Sequence, residues 1–246
     1  MDGKSGQKLW EFQAGNHMYH GCSAGDLDGD QTPELTIASY DGKVYALRAR
    51  DGKKLWEVAP GDRYFMSPTV IADLDGDRRP EVIAASQSIT AIKGNGKILW
   101  SVDAKGAARG RWGSITRGVS IADMDGDGKL DVVALYGSGI LRVLRGKDGK
   151  VLYEFDASTL TKQSLSGSSH GPVIADLNGD GRLDVFFVVG ATRPKSHGLA
   201  VALTGFRGKG RGWYMLRHDA RNTGNILSEL SPALEAHLPK TPRRKR

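Results

Sequence analysis

The sequence has a single cysteine, Cys22, so no disulfide can form within the chain. A lone thiol among small and apolar neighbours is expected to be packed rather than nucleophilic. No stretch before residue 226 sustains a 3.6-residue apolar period, which excludes a helical bundle. No apolar run reaches the length of a membrane-spanning helix, and no signal peptide is readable at the N-terminus. The six histidines are scattered, with no HExxH and no GxSxG, so neither a zincin nor a nucleophile-elbow hydrolase is indicated. His17 and His20 are close enough to face one another, but a pair in a loop reads as structural or solvated. The formal charge of +7 also excludes less than it suggests. Lys240, Arg243, Arg244, Lys245 and Arg246 supply five of those charges, and the remainder of the chain carries only +2. That balance does not describe a nucleic-acid-binding domain.

What is abundant is glycine, at 33 residues without a collagen-like period, which indicates many tight turns. A repeat accounts for them. GCSAGDLDGDQTPELTIAS, SPTVIADLDGDRRPEVIAAS, RGVSIADMDGDGKLDVVAL and HGPVIADLNGDGRLDVFFVV recur with their leading aspartates Asp26, Asp73, Asp123 and Asp176 spaced by 47, 50 and 53 residues. A second pattern, GQKLWEF, GKKLWEV, GKILWSV and GKVLYEF, runs in step and carries Trp10, Trp56, Trp100 and Tyr153. Each unit parses into four short strands; in the second these are 68–72, 81–86, 89–93 and 98–102. Asp-Gly and Asn-Gly pairs at the joints supply the positive φ that tight hairpins need. Four antiparallel strands per unit of this length predict an all-β chain, a β-propeller of about four blades. The repeats lie near 13–60, 61–104, 105–157 and 158–225, and the aromatic of each last strand packs between neighbouring blades. Residues 6–12 form a possible closing strand, so the chain reads either as a small closed ring or as the C-terminal part of a larger propeller. Residues 226–246 read as a short helix and a basic, disordered tail.

Between the first two strands of each unit stands an acidic loop with oxygen ligands at positions 1, 3, 5 and 9. They are Asp26, Asp28, Asp30 and Glu34; Asp73, Asp75, Asp77 and Glu81; Asp123, Asp125, Asp127 and Asp131; and Asp176, Asn178, Asp180 and Asp184. Fifteen of the 28 acidic residues fall in these windows, and carboxylates so crowded repel one another unless a cation lies among them. Ca²⁺ tolerates the irregular six- to eightfold oxygen shell of a short loop, whereas Mg²⁺ demands a stricter octahedron. The backbone carbonyls of Thr32, Arg79, Lys129 and Arg182, at position 7, complete each shell, for about four calcium sites. The EF-hand alternative fails, because position 12 is Ile37, Ala84, Ala134 and Phe187, each inside a strand. The fourth loop, with neutral Asn178, is expected to bind most weakly.

These loops and their spacing resemble the FG-GAP/VCBS repeats of integrin-α-type β-propellers, over roughly residues 21–191. The resemblance implies that the loop residues above are calcium ligands and that the module is extracellular or periplasmic. The outer-strand pattern also resembles quinoprotein-like propellers, and residues 213–224 resemble a closing segment of bacterial proteins of this sort. The Phe-Gly and Gly-Ala-Pro letters of the family name are not evident here, and propellers of the family commonly have seven or eight blades.

The loops entering each first strand carry Tyr19, Arg63, Tyr64, Arg109, Arg111, Trp112 and His170, an aromatic-plus-arginine set suited to a carbohydrate or an anionic ligand. The expectation is therefore a non-enzymatic binding or adhesion module for a protein or carbohydrate partner, with no nucleic acid and no membrane span. The alternative is an enzyme on a propeller scaffold, a polysaccharide lyase or a quinoprotein-like protein; the paired cysteines common in the latter are absent, since Cys22 is alone.

Overall fold

The computed structural model describes residues 2–104, 106–107, 113–161, 165, 167–168, 170–190, 197–209 and 212–213. Its strands form antiparallel sheets in chain order, as consecutive blades do. The first blade contains β1 (Ser23–Gly25), β2 (Glu34–Ala38), β3 (Val44–Arg48) and β4 (Lys54–Val58). The second contains β5 (Val70–Ala72), β6 (Glu81–Ala85), β7 (Ser88–Ile92) and β8 (Ile98–Asp103), and the third β9 (Ser120–Ala122), β10 (Asp131–Leu135), β11 (Ile140–Arg145) and β12 (Val151–Asp156). In the fourth, β13 (Val173–Ala175), β14 (Asp184–Val189) and β15 (Leu199–Leu203) are described. The final strand, β16 (Gly212–Trp213), leaves the fourth repeat and pairs with β9 on the inner edge of the third blade, an assignment the repeat boundaries did not foresee.

Alternation within the strands builds the core. Val82 and Ala84 of β6 face the first blade, packing with Val44, Ala46 and Ile71, while Ile83 and Ala85 face the third and join Ile121, Val132 and Ala134. Val133, Leu135 and Val143 then meet Ile174, Val185 and Phe187 of the fourth blade. The core is thus a series of apolar layers between blades, and a two-residue period serves both faces because both are covered.

A polar interlock accompanies the layers between the first three blades. The indole of Trp56 donates to the Gly94 carbonyl at 2.8 Å, and that of Trp100 to the Gly146 carbonyl at 2.6 Å, each reaching the third-to-fourth-strand turn of the following blade. Tyr153, at the matching place in the third blade, instead meets Phe206 edge-on at 5.5 Å. Trp10 repeats the interlock on the first blade, donating to the Ala49 carbonyl at 2.9 Å. Residues 6–12 therefore lie against blade one as an outer strand of a preceding blade would, and they do not pair with β15. The described sheets do not close into a ring.

One other expectation changes. Cys22 is exposed rather than packed, because it precedes β1 in the entry loop. His17 and His20 do not pair: His17 lies against Tyr19, and the His20 Nε2 stands 2.9 Å from the Arg117 guanidinium. The C-terminal helix and tail, and most of residues 213–224, lie outside the described residues.

Candidate metal centres and the opposite face

Every acidic loop joins the innermost strand of its blade to the next, and the four adopt one internal geometry. The position-1 carboxylate accepts the amides of positions 4 and 6: Asp26 from Gly29 and Gln31 at 2.7 and 2.9 Å, Asp73 from Gly76 and Arg78, Asp123 from Gly126 and Gly128, and Asp176 from Gly179 and Gly181, with the Asp180 amide as a third donor at 3.1 Å. Positions 3 and 5 each use one oxygen to accept the amide two residues on, as Asp75 does from Asp77 and Asp77 from Arg79 at 3.1 and 2.8 Å. Asp28, Asp30, Asp125, Asp127, Asn178 and Asp180 repeat the arrangement. These nested side-chain turns hold the backbone coiled inward and leave the second carboxylate oxygen of Asp28, Asp30, Asp75, Asp77, Asp125 and Asp127 outside the turns.

The position-9 acid is the buried member. Glu34, Glu81, Asp131 and Asp184 are 0–1% exposed, and each accepts the position-2 amide, from Leu27, Leu74, Met124 and Leu177 at 2.8–3.0 Å. Burial, reinforced by the neighbouring loop carboxylates, pushes the carboxyls of Glu81 and Asp131 up to about 7 and raises that of Glu34. In the fourth loop the other oxygen of Asp184 is buried without a hydrogen-bond partner. A buried, unpartnered carboxylate oxygen is costly, and a cation would satisfy it.

Three of the loops bring carboxylate oxygens within 4.8 Å of one another: Asp26, Asp28 and Glu34; Asp73, Asp75 and Glu81; and Asp123, Asp125 and Asp127. These clusters can hold a metal ion. An all-oxygen donor set mixing buried and exposed carboxylates suits a hard cation, so the residues present fit calcium.

One requirement went unread in the sequence. Position 6 as well as position 4 takes a positive φ. Position 6 is Gly in the third and fourth loops, but Gln31 and Arg78 occupy it in the first two, at 67° and 69°. The glycines at 128 and 181 are the signal of this requirement in the sequence.

The strand directions place the acidic loops and the third-to-fourth-strand turns at one end of the blades. The entry loops and the second-to-third-strand turns lie at the other. At that other end stands a column of rings. His17 stacks on Tyr19 at 6.2 Å, Tyr19 meets Tyr40 at 5.0 Å, and Tyr40 stacks on Tyr64 at 5.0 Å. Tyr19 is 57% exposed, and Arg63 beside Tyr64 is exposed as well. Tyr19 and Tyr64 are therefore brought together, through Tyr40, which the entry-loop reading missed because Tyr40 belongs to a hairpin turn just before Asp41-Gly42. His170 stands apart, on a cleft of about 440 Å³ lined by Val188, Val189, Leu199 and Ala200. Arg109, Arg111 and Trp112 lie outside the described residues.

Comparison with known proteins agrees with this architecture. Residues 123–187 match the FG-GAP-like repeat, and residues 2–73 match the lambda-carrageenase beta-propeller domain. The lambda-carrageenase of Pseudoalteromonas carrageenovora is 31% identical over 101 residues, a stretch that spans 40% of this chain and 10% of that enzyme. Among solved structures, the rhamnogalacturonan lyase of Bacillus licheniformis superposes with a TM-score of 0.53 at 21% identity, over 80% of this chain and 42% of the lyase. BamB from Moraxella catarrhalis gives a TM-score of 0.49 at 18% identity, over 84% of this chain and 52% of that one. The chain carries FG-GAP-like repeats on a β-propeller scaffold.

Proposed function

We propose that the chain is a calcium-stabilised propeller module that binds a polysaccharide through the end of the blades opposite its metal loops. Calcium in the acidic loops would neutralise the clustered carboxylates and pin the two inner strands of each blade. Asp26, Asp28, Asp30 and Glu34, and their equivalents through Asp184, would hold the ion, with the carbonyls of Thr32, Arg79, Lys129 and Arg182 completing the shell. We place its site of action outside the cell or in the periplasm, where calcium is plentiful enough to fill such loops.

The observation that carries the binding role is the column His17–Tyr19–Tyr40–Tyr64, partly exposed and flanked by Arg63. Exposed aromatic edges and hydroxyls beside a guanidinium offer apolar contact and hydrogen bonds to a sugar chain. The likeness to a carrageenase supports a polysaccharide over a protein partner and makes carrageenan the first probe. The same likeness favours a second reading, that the module is part of a polysaccharide-cleaving enzyme.

The test is affinity electrophoresis in carrageenan-containing gels with calcium present, alongside an assay for released chain ends. Retardation that Tyr19→Ala with Tyr64→Ala weakens by about tenfold or more supports the binding reading. Equal retardation of both proteins, or none of the wild type, refutes it. New chain ends would decide for the enzyme.

A further inference from the structure

The basic residue at the end of the third strand behaves differently in the second blade than in the first and third. Arg48 stands opposite Glu34 in the β2–β3 register, and Arg145 opposite Asp131 in the β10–β11 register. Both guanidiniums hydrogen-bond a carboxylate three residues further on in their own hairpin. Arg48 binds Asp51 at 2.6–3.1 Å, and Arg145 binds Asp148 at 2.5 and 2.9 Å. The equivalent turn of the second blade, Lys93-Gly94-Asn95-Gly96, is one residue shorter and offers neutral Asn95, whose side-chain oxygen accepts the Lys97 amide at 3.1 Å. Without a turn carboxylate to hold it, the Lys93 ammonium enters the metal loop. It lies 2.8 Å from Asp75 Oδ2 and 3.3 Å from Asp77 Oδ2. Those are the two oxygens that the internal turns of the loop leave free, since Asp75 Oδ1 and Asp77 Oδ1 accept amides.

We propose that Lys93 is a tethered cation occupying the ligand oxygens of the second loop, so that this loop takes a divalent ion only by expelling its own ammonium. The inference rests on the reading of the acidic loops as metal sites, and two features beyond the acidic clusters support that reading. The second loop already holds a cation, and the buried Asp184 oxygen of the fourth lacks a partner. An ammonium is a single compact charge that cannot fill a six- to eightfold oxygen shell, so calcium can displace it, at a cost in affinity. The second loop is accordingly the weaker of the three clustered sites and the one that keeps its shape when metal is removed. Ligand charge counted along the sequence does not reveal this, because the competitor comes from another strand.

Calcium titration calorimetry on wild type and Lys93→Met, paired with melts in chelator and in calcium, tests the inference. The expected result is a rise of roughly three- to tenfold in the affinity of one class of sites, the others unchanged. The variant should also melt below wild type in chelator and gain more than wild type from calcium. Lys93→Arg, which keeps the charge, should behave as wild type. Site affinities within twofold of wild type, with calcium bound by both proteins, would overturn the role of Lys93 alone. Uptake of no calcium by either protein would overturn the metal reading and this inference with it.

Discussion

Adding a methyl group at Gly94 should damage both a blade interface and an acidic loop on the neighbouring blade. A Cβ there would overlap the Leu27 carbonyl oxygen and sit 2.9 Å from the carbonyl carbon, both of them backbone atoms. Leu27 is 2% exposed, and its amide donates to Glu34 at 2.8 Å, so it cannot retreat without moving the buried acid of the first loop. Nor can Gly94 retreat freely, because its carbonyl accepts the Trp56 indole at 2.8 Å. Overpacking of this kind costs about 2–3 kcal/mol, which for a chain of this size lowers the melting temperature by roughly 5–10 °C. The control is Gly21→Ala, where nothing lies within 4 Å of the added carbon; its stability should stay within about 0.5 kcal/mol of wild type. Scanning calorimetry measures both, and calcium titration of Gly94→Ala should show a weakened first site with an unchanged third. If Gly94→Ala melts within about 1 °C of wild type, the interlock of Trp56, Gly94 and Leu27 does not carry the load assigned to it.

Two further outcomes follow from the loops. The carboxyls of Glu81 and Asp131 titrate near 7 in the fold, against ordinary values of 4.5 and 3.8, so the metal-free protein binds protons that the unfolded chain has lost. Its stability is therefore fullest below the ordinary values and declines as pH rises toward 7, while calcium, which needs the ionised form, stabilises increasingly over the same range. Melts with calcium and with chelator should diverge between about pH 5 and about pH 7.5; parallel curves would show that no ion answers those charges. Replacing Arg78, which sits at a φ of 69°, by the glycine found at the same place in the third and fourth loops should stabilise by about 0.5–1 kcal/mol. A lower melting temperature for Arg78→Gly would mean that the Arg78 side chain outweighs the strain.

Much of the architecture follows from periodicity alone. Spacings of 47, 50 and 53 residues between leading aspartates, with strand-like runs on both sides, make units of one supersecondary type. The shape of the acidic loops was legible because each loop is a local object: hydrogen bonds between residues two to five apart shape it, and the same letters therefore produce the same coil four times. The role of Trp56 and Trp100 was legible for a related reason, since a large aromatic on an outer strand has only a neighbouring blade to pack against.

What the letters did not disclose depends on atoms from different units. Tyr40 joins Tyr19 and Tyr64 only once two loops and a hairpin are gathered at one end of adjacent blades. The return of β16 to the third blade is a long-range pairing that no local pattern marks. The open ends of the blade series show in burial rather than in composition. Every residue of β6 and β10 is buried, while β14, equally apolar, leaves Phe186 37% exposed because no described blade covers that face. By itself the sequence determined the repeat, the strands and the coil of each acidic loop, because those rest on interactions between near neighbours in the chain. Tertiary structure alone decided which cation stands in the second loop, since Lys93 reaches Asp75 across a strand pair whose register and turn length set where its charge must go.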